Sequence, residues 1–485
     1  MSDEAEYSIR VEPDNPLLSE LTLSWRTAVF SDESGIGPMG SLHEAGDALA
    51  AVAYFGEDGL AIVGSAVMVA PGLLLTATHV LDEIASHRAS PLFLTFLEGG
   101  TRAWLPMDVS TLSRPSQFGG RSKVVSDLSL VSCTLNSNAL EARPLMLAPM
   151  QIALPLVGER LWAMGFRHQG LDGEAALITP LISSGLVVAA YPNGRGERMV
   201  SPCFEVDMET FGGMSGGAVV NANGFLVGIV SSSWDGGPSY MTLIWDAVRL
   251  RVKGPVPKLQ NVDRVSLLGA RALGLAKIKG NVDRDPFGEV SIKLSDAEME
   301  LMTASLPPEH VAEVPTPALD DDQLEEFLER RGADLEEAVL AGTLRTLNRQ
   351  SLPSARGFLE GSDVPAECLA AVIGFSVEDF DGLEDITVTS TEVIDEARFL
   401  VRYYIDLPRL IWTVEMEAVF ADANAALVDA FFFNRQVTDG RATMDLVQRR
   451  YFRGSAIFDR EAEVFTNATT TLSAIKPRRD ASKAR

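Results

Sequence analysis

The sequence predicts an all-β fold over residues 45–252, followed by an α+β module over residues 318–475. Three observations predict it. Short apolar runs recur through the first region, with glycine and asparagine turns between them. An acidic amphipathic helix pattern opens the second region. From Ile386 onward, apolar and polar residues alternate with the period of half-buried antiparallel strands.

Taken in chain order, residues 1–44 read as an N-terminal extension. It begins Met1-Ser2-Asp3-Glu4-Ala5-Glu6, and no apolar segment of signal-peptide type follows, so no secretory leader is expected. Strands are expected at 48–55, 61–70, 73–77, 92–96, 128–135, 160–165, 184–190, 203–208, 218–220 and 225–231. Residues 60–81 carry no Asp, Glu, Lys or Arg, but Gly64, Ser65, Pro71 and Gly72 cut them into strand-sized pieces rather than a membrane helix. Residues 203–210 alternate, with Glu205, Asp207 and Glu209 on one face and Phe204, Val206 and Met208 on the other. Residues 242–252 are expected to form a closing helix.

A boundary falls at Lys253-Gly254-Pro255-Val256-Pro257, and 253–317 read as linker and small helical segment. Within it Asn261-Val262-Asp263-Arg264 recurs as Asn281-Val282-Asp283-Arg284, which is too little for a repeat architecture. Asp320–Asp322 cap the next helix, whose apolar stripe is Leu324, Phe327, Leu328, Leu335 and Val339, interrupted by Gly332. A second helix is expected at 365–374. Phe399, Val401, Tyr403 and Ile405 then alternate with polar residues, as do Trp412, Val414, Met416, Ala418 and Phe420; further strands follow at 442–451 and 463–472. Residues 476–485 form a basic tail, read as frayed.

Three segments carry chemistry: Thr76-Ala77-Thr78-His79, Asp127-Leu128-Ser129-Leu130-Val131 and Gly213-Met214-Ser215-Gly216-Gly217. A serine hydroxyl becomes a nucleophile when a base takes its proton, and a buried aspartate can fix the tautomer of a histidine base. The order His, Asp, Ser differs from the other common orders of the same three residues. Glycines at 213, 216 and 217 permit a tight turn in which the N–H groups of Gly213 and Ser215 can point at one spot. Of the five histidines, His87 lies in a polar stretch and reads as surface. Asp82 is a rival carboxylate three residues after His79, but Asp127 stands next to an apolar strand that could bury it.

On these segments, residues 45–250 resemble the trypsin/chymotrypsin-like serine proteases. The resemblance implies two antiparallel barrels with the site between them. It implies a catalytic set of His79, Asp127 and Ser215, with the N–H groups of Gly213 and Ser215 as oxyanion hole. Gly228-Ile229-Val230-Ser231 is similar to the strand beside the bound substrate. Met214 stands where the digestive enzymes carry an acidic residue that pairs with a freshly cleaved N-terminus. In this the chain is more similar to bacterial high-temperature-requirement proteases and viral 3C-like proteases, whose activity is set by loop ordering rather than by N-terminal trimming. Regulation would then come from the rest of the chain. Glu209 lies at the offset that selects basic residues in trypsin, but it reads equally as part of a solvated acidic face. Thr210, Ser231, Ser232 and Ser233 would instead line a small or polar pocket. The C-terminal half resembles no recognised family.

Composition narrows the function classes. A net charge of −26 argues against nucleic acid or an anionic membrane as partner. Hydrophobic residues make up 46% of the chain, so it is globular, and 485 residues allow several domains. Three cysteines (Cys133, Cys203, Cys368) suit a reducing compartment, hence a cytoplasmic location. No metal-ligand cluster or cofactor motif is present. The expected function is an intracellular serine endopeptidase acting on a protein or peptide, with a partner or ligand sensed at the C-terminal module. Domain layout alone suggests bacterial stress response or antiphage defence. The competing expectation is a silent protease-fold binding or scaffold protein.

Overall fold

Small and branched apolar residues dominate the strands of the N-terminal region, and they curl into barrels whose interiors side chains fill. The computed structural model describes residues 8–11, 26–27, 42–56, 59–97, 100–115, 123–136, 145–172, 175–195, 199, 201–233, 238–260, 263–305, 317–349, 352, 364–380 and 385–475. They fall into two units, one within residues 1–311 apart from Pro286–Gly288, the other made of Pro286–Gly288 and residues 312–485.

The first barrel contains β1 (Leu49–Gly56), β2 (Gly59–Ala70), β3 (Leu73–Thr76), β4 (Leu92–Leu97), β5 (Gly100–Pro115) and β6 (Lys123–Leu135). It closes in the order β1-β2-β3-β6-β5-β4, every pair antiparallel. Helix α1 (Thr78–Ser86) leaves the end of β3, so His79 stands in the first turn of a helix. The second barrel contains β7 (Arg160–Asp172), β8 (Ala175–Tyr191), β9 (Cys203–Val206), β10 (Ala218–Asn221), β11 (Leu226–Ser233) and β12 (Ser239–Leu243). Its order is β7-β8-β9-β12-β11-β10, and β10 pairs back onto β7 to close it. The double barrel is therefore the observed architecture.

Several expected elements differ in detail. Residues 242–252 split into the end of β12, a 3₁₀ helix at Ile244–Arg249 and a two-residue strand at Arg251–Val252. The run is apolar enough for either helix or strand, and pairing of Thr242 and Leu243 with Ile229 and Gly228 decides for strand at its start. Strand β9 stops at Val206, where the Met208 N–H turns back to the Val206 carbonyl at 2.8 Å. Residues 253–305, read as linker, pack on the barrels: Leu259, Val265, Leu267, Ala270, Leu275 and Ile278 belong to the same core as the first barrel. Asn281–Arg284 forms a hairpin with Val290–Lys293, while Asn261 and Val262 lie outside the described residues. The basic tail and most of 1–44 also lie outside them.

In the second unit, helix α2 (Asp321–Asn348) starts at a capping box of Asp320 and Gln323 and runs unbroken through Gly332. It buries Phe327, Leu335, Val339 and Leu347. Helix α3 is shorter than expected, Ala366–Ala371, because Val372 begins strand β13 (Val372–Phe380). With β14 (Asp385–Val393), β15 (Arg398–Glu417), β16 (Phe433–Thr438), β17 (Arg441–Asp459) and β18 (Val464–Ile475) it forms a six-stranded antiparallel sheet. The two alternating runs read separately, 399–405 and 412–416, are one strand. Its register shifts between Leu407 and Leu410, where Pro408 has no N–H to give the ladder. The shift moves the buried face from Phe399, Val401, Tyr403 and Ile405 to Leu410, Trp412, Val414 and Met416. The strand ends at Glu417, so Ala418 and Phe420 belong to a short helix, Ala418–Ala423. Among the described residues no helix is long and apolar enough to cross a membrane.

Candidate active site

His79 and Asp127 meet because a helix start and a barrel strand adjoin. Helix α1 offers unpaired N–H groups at its first turn, a setting that favours an anion. Asp127, on β6, supplies it: its Oδ1 accepts the His79 backbone N–H at 3.2 Å and contacts His79 Nδ1 at 2.9 Å. Thr78 holds the strand beside the helix, donating to the Ser126 carbonyl at 2.6 Å and bonding the Ser129 hydroxyl at 3.0 Å. Asp127 is fixed from two further directions. Its backbone N–H donates to Ser201 Oγ at 2.6 Å, and its Oδ2 accepts the Ser231 hydroxyl. Burial alone would lower the His79 pKa, but the hydrogen bond and charge of Asp127, helped by Glu83 and Asp82, outweigh it and raise the pKa above the ordinary histidine value.

Ser215 sits in a loop of two consecutive turns. The Met214 N–H returns to the Phe211 carbonyl at 3.0 Å and the Gly217 N–H to the Met214 carbonyl at 2.8 Å. Each turn has a glycine with positive φ at its third position, Gly213 (φ 93°) and Gly216 (φ 81°), the mark of type II turns. A Cβ on Gly213 would stand 2.5 Å from the Phe166 carbonyl oxygen, and one on Gly216 2.2 Å from that of Ser65. Met214 is fully buried in the core of the second barrel and anchors the loop by packing. Among the described residues, neither the Gly213 nor the Ser215 N–H has an acceptor. The Ser215 hydroxyl donates to the Ser231 carbonyl at 3.3 Å, and no hydrogen bond joins it to His79. Ser231 thus contacts both Ser215 and Asp127.

The other residues singled out from sequence are distributed differently. Glu209 is exposed. Thr210 is buried and its hydroxyl bonds that of Ser239 at 2.8 Å. Ser232 is exposed with its hydroxyl on Met199 Sδ at 3.3 Å, and Ser233 ends β11 opposite Ser239. His87 stacks on Tyr54, with ring centroids 5.0 Å apart. Asp82 acts on His79 only through its field. Sequence reasoning missed Ser65, Ser201 and the bond from Ser231 to Asp127. A polar residue inside an apolar strand, Gly64-Ser65-Ala66, was the signal for Ser65; Ser201 gave none. Among the described residues no group of His, Cys, Asp and Glu is arranged to hold a metal ion.

Comparison with known families matches residues 64–229 to the trypsin-like peptidase domain. Among solved structures the chain is similar to that of Deg5, at 16% identity over 43% of this chain and 88% of that one, with a TM-score of 0.31. It is also similar to the MamO protease domain from Magnetospirillum magneticum in its apo form, at 19% identity over 41% and 93%, with a TM-score of 0.28. The inactive form of the Rv3671c protease gives 12% identity over 48% and 93%, and a TM-score of 0.28. No curated protein matches the sequence.

Proposed function

We propose that this trypsin-like peptidase domain is an active intracellular serine endopeptidase, and that the second unit regulates it. The observation that carries the reading is the chain of contacts His79–Asp127–Ser231–Ser215, ending beside two N–H groups without acceptors. Asp127 accepts from Nδ1, so that nitrogen keeps the proton and Nε2 is left as the base. When a peptide enters, the Ser215 hydroxyl swings from the Ser231 carbonyl to His79; such bonds are commonly loose before substrate binds. Ser215 Oγ then bonds to the peptide carbonyl carbon as its proton passes to Nε2. The carbonyl oxygen, now negative, accepts from the Gly213 and Ser215 N–H groups. Collapse breaks the C–N bond, and His79 gives its proton to the departing amine. Water, activated the same way, releases the acyl group and restores Ser215.

An extended protein segment suits the site as substrate. Pairing between β10 and β11 ends at Ile229, so Ser231–Ser233 present a strand edge beside Ser215. Cys133, Cys203 and Cys368 are buried and free, which supports a reducing compartment. Fluorophosphonate treatment followed by intact-mass measurement tests the reading. The full chain should gain one adduct, and Ser215→Ala, which has no hydroxyl to be phosphonylated, should gain none. The second reading, a silent scaffold, rests on the Ser215 hydroxyl pointing at Ser231; a folded full chain that takes no adduct would favour it.

A further inference from the structure

We infer that Ser65 is a positioning residue that locks the oxyanion loop in its working shape. The inference deepens the peptidase reading and rests on it. Ser65 lies on β2 of the first barrel and is fully buried, yet all its polar groups are engaged with the loop or its supports. Its N–H donates to the Ser215 carbonyl at 2.8 Å. Its carbonyl accepts the Thr76 hydroxyl at 2.8 Å. Its Oγ accepts the Phe166 N–H at 2.9 Å and donates to the Gly213 carbonyl at 2.8 Å. Because Phe166 already occupies the oxygen as donor, the hydroxyl hydrogen has one direction left, toward Gly213.

The consequence follows from which peptide plane is held. The two free N–H groups belong to the peptides 212–213 and 214–215. Between them lies the peptide 213–214, clamped at both edges: its N–H by the Phe211 carbonyl at 3.0 Å and its carbonyl by Ser65. Gly213 at φ 93° makes the turn type II. The type I alternative inverts the central peptide 212–213 and turns its carbonyl toward the place its N–H now faces. Gly212 and Gly213 give the backbone freedom to make that inversion. In this chain Met214 carries no charge that could pair with a cleaved N-terminus, and Ser65 instead ties the loop to the neighbouring barrel at two carbonyls, Gly213 through its hydroxyl and Ser215 through its N–H, which fixes where the loop holds its two N–H groups. Removing it leaves the Phe166 N–H and the Gly213 carbonyl buried without partners, a condition that relaxing the loop relieves.

The test is the second-order rate of fluorophosphonate labelling of the full chain across pH 5–9, for native, Ser65→Ala and Ser65→Cys proteins, each checked by its melting transition. Loss of one oxyanion donor slows acyl chemistry by about 10²–10³. Ser65→Ala should therefore label roughly 10²-fold more slowly. The slowing should be the same at every pH, because the His79–Asp127 contact is untouched. Ser65→Cys, a weaker donor of similar shape, should fall between. A Ser65→Ala protein that labels at the native rate overturns the lock, as does one whose loss comes from a shifted pH midpoint. Should Ser65→Ala not melt cooperatively, Ser65→Cys decides by the same two criteria. A native chain that melts cooperatively but never labels defeats the peptidase reading, and the lock with it.

Discussion

The first unit closes its strands into two barrels and places its irregular backbone, residues 211–217, next to the ends of both. The second unit lays strands of 20 and 19 residues side by side, with inward and outward residues alternating almost without a break. The regular unit is the easier to read as a fold and the poorer in chemistry. Its side chains alternate between a buried and a more exposed face, and its two long strands, β15 and β17, are paired along both edges. The barrels interrupt their own regularity at residues 211–217, where, among the described residues, the Gly213 and Ser215 N–H groups lack acceptors and the Ser215 hydroxyl rests on the Ser231 carbonyl. Function sits where a rigid frame tolerates such backbone.

The sharpest way to test that contrast is Asp127→Asn. The fold should survive, because an amide fills the same space. The labelling rate at neutral pH should fall by about 10⁴, since the histidine loses the partner that fixes its tautomer. The sign of the pH effect is fixed as well. In the proposed mechanism neutral His79 is the base, so the rate should rise with pH through the His79 pKa, which Asp127 holds above the ordinary value. Without that charge the midpoint should move to lower pH. An Asp127→Asn protein that labels at the full rate would remove the special status given to the first unit.

The second unit should answer to packing instead. Phe327 joins α2 to the sheet through edge contacts with Phe399, Phe458 and Phe465, at centroid distances of 5.4, 4.9 and 6.0 Å. Phe327→Ala should cost about 3–5 kcal/mol of that unit's stability, read from its denaturant midpoint. The barrels should keep theirs. If both units lose stability together, they fold as one cooperative body and the contrast is one of shape only.

What the sequence made legible follows the same division. His79, Asp127 and Ser215 stood out because their motifs are local and their residue types have few substitutes. Ser65, Ser201 and the second role of Ser231 did not, because they act on partners 148, 74 and 104 residues away. Strand β5 was hidden for another reason: Leu105, Met107 and Val109 face outward at 39%, 41% and 43% exposure, so its apolar residues do not mark the inside. Strand β12 is buried at all five positions and gives no alternation to read. In the second unit the alternation was plain, but Pro408 split one strand into two in the reading.

Ser231→Ala is the finest discriminator between the site and its scaffold. The hydroxyl donates to Asp127 Oδ2, and hydrogen bonds to charged groups contribute about 1.5–3 kcal/mol. Its loss should leave the fold in place, because the Ser231 backbone still runs in β11. The rate effect should be smaller than that of Asp127→Asn, since Asp127 keeps its bonds to His79 and Ser201. The direction of the pH shift is the informative part. A carboxylate that loses a donor holds its remaining charge more strongly toward the imidazole, so the His79 pKa should rise and the rate midpoint move to higher pH. Asp127→Asn moves it the other way. Opposite shifts from two neighbours would mean that Asp127 transmits to His79 whatever its own surroundings do. Equal or absent shifts would mean that Ser231 is held there only as part of the strand.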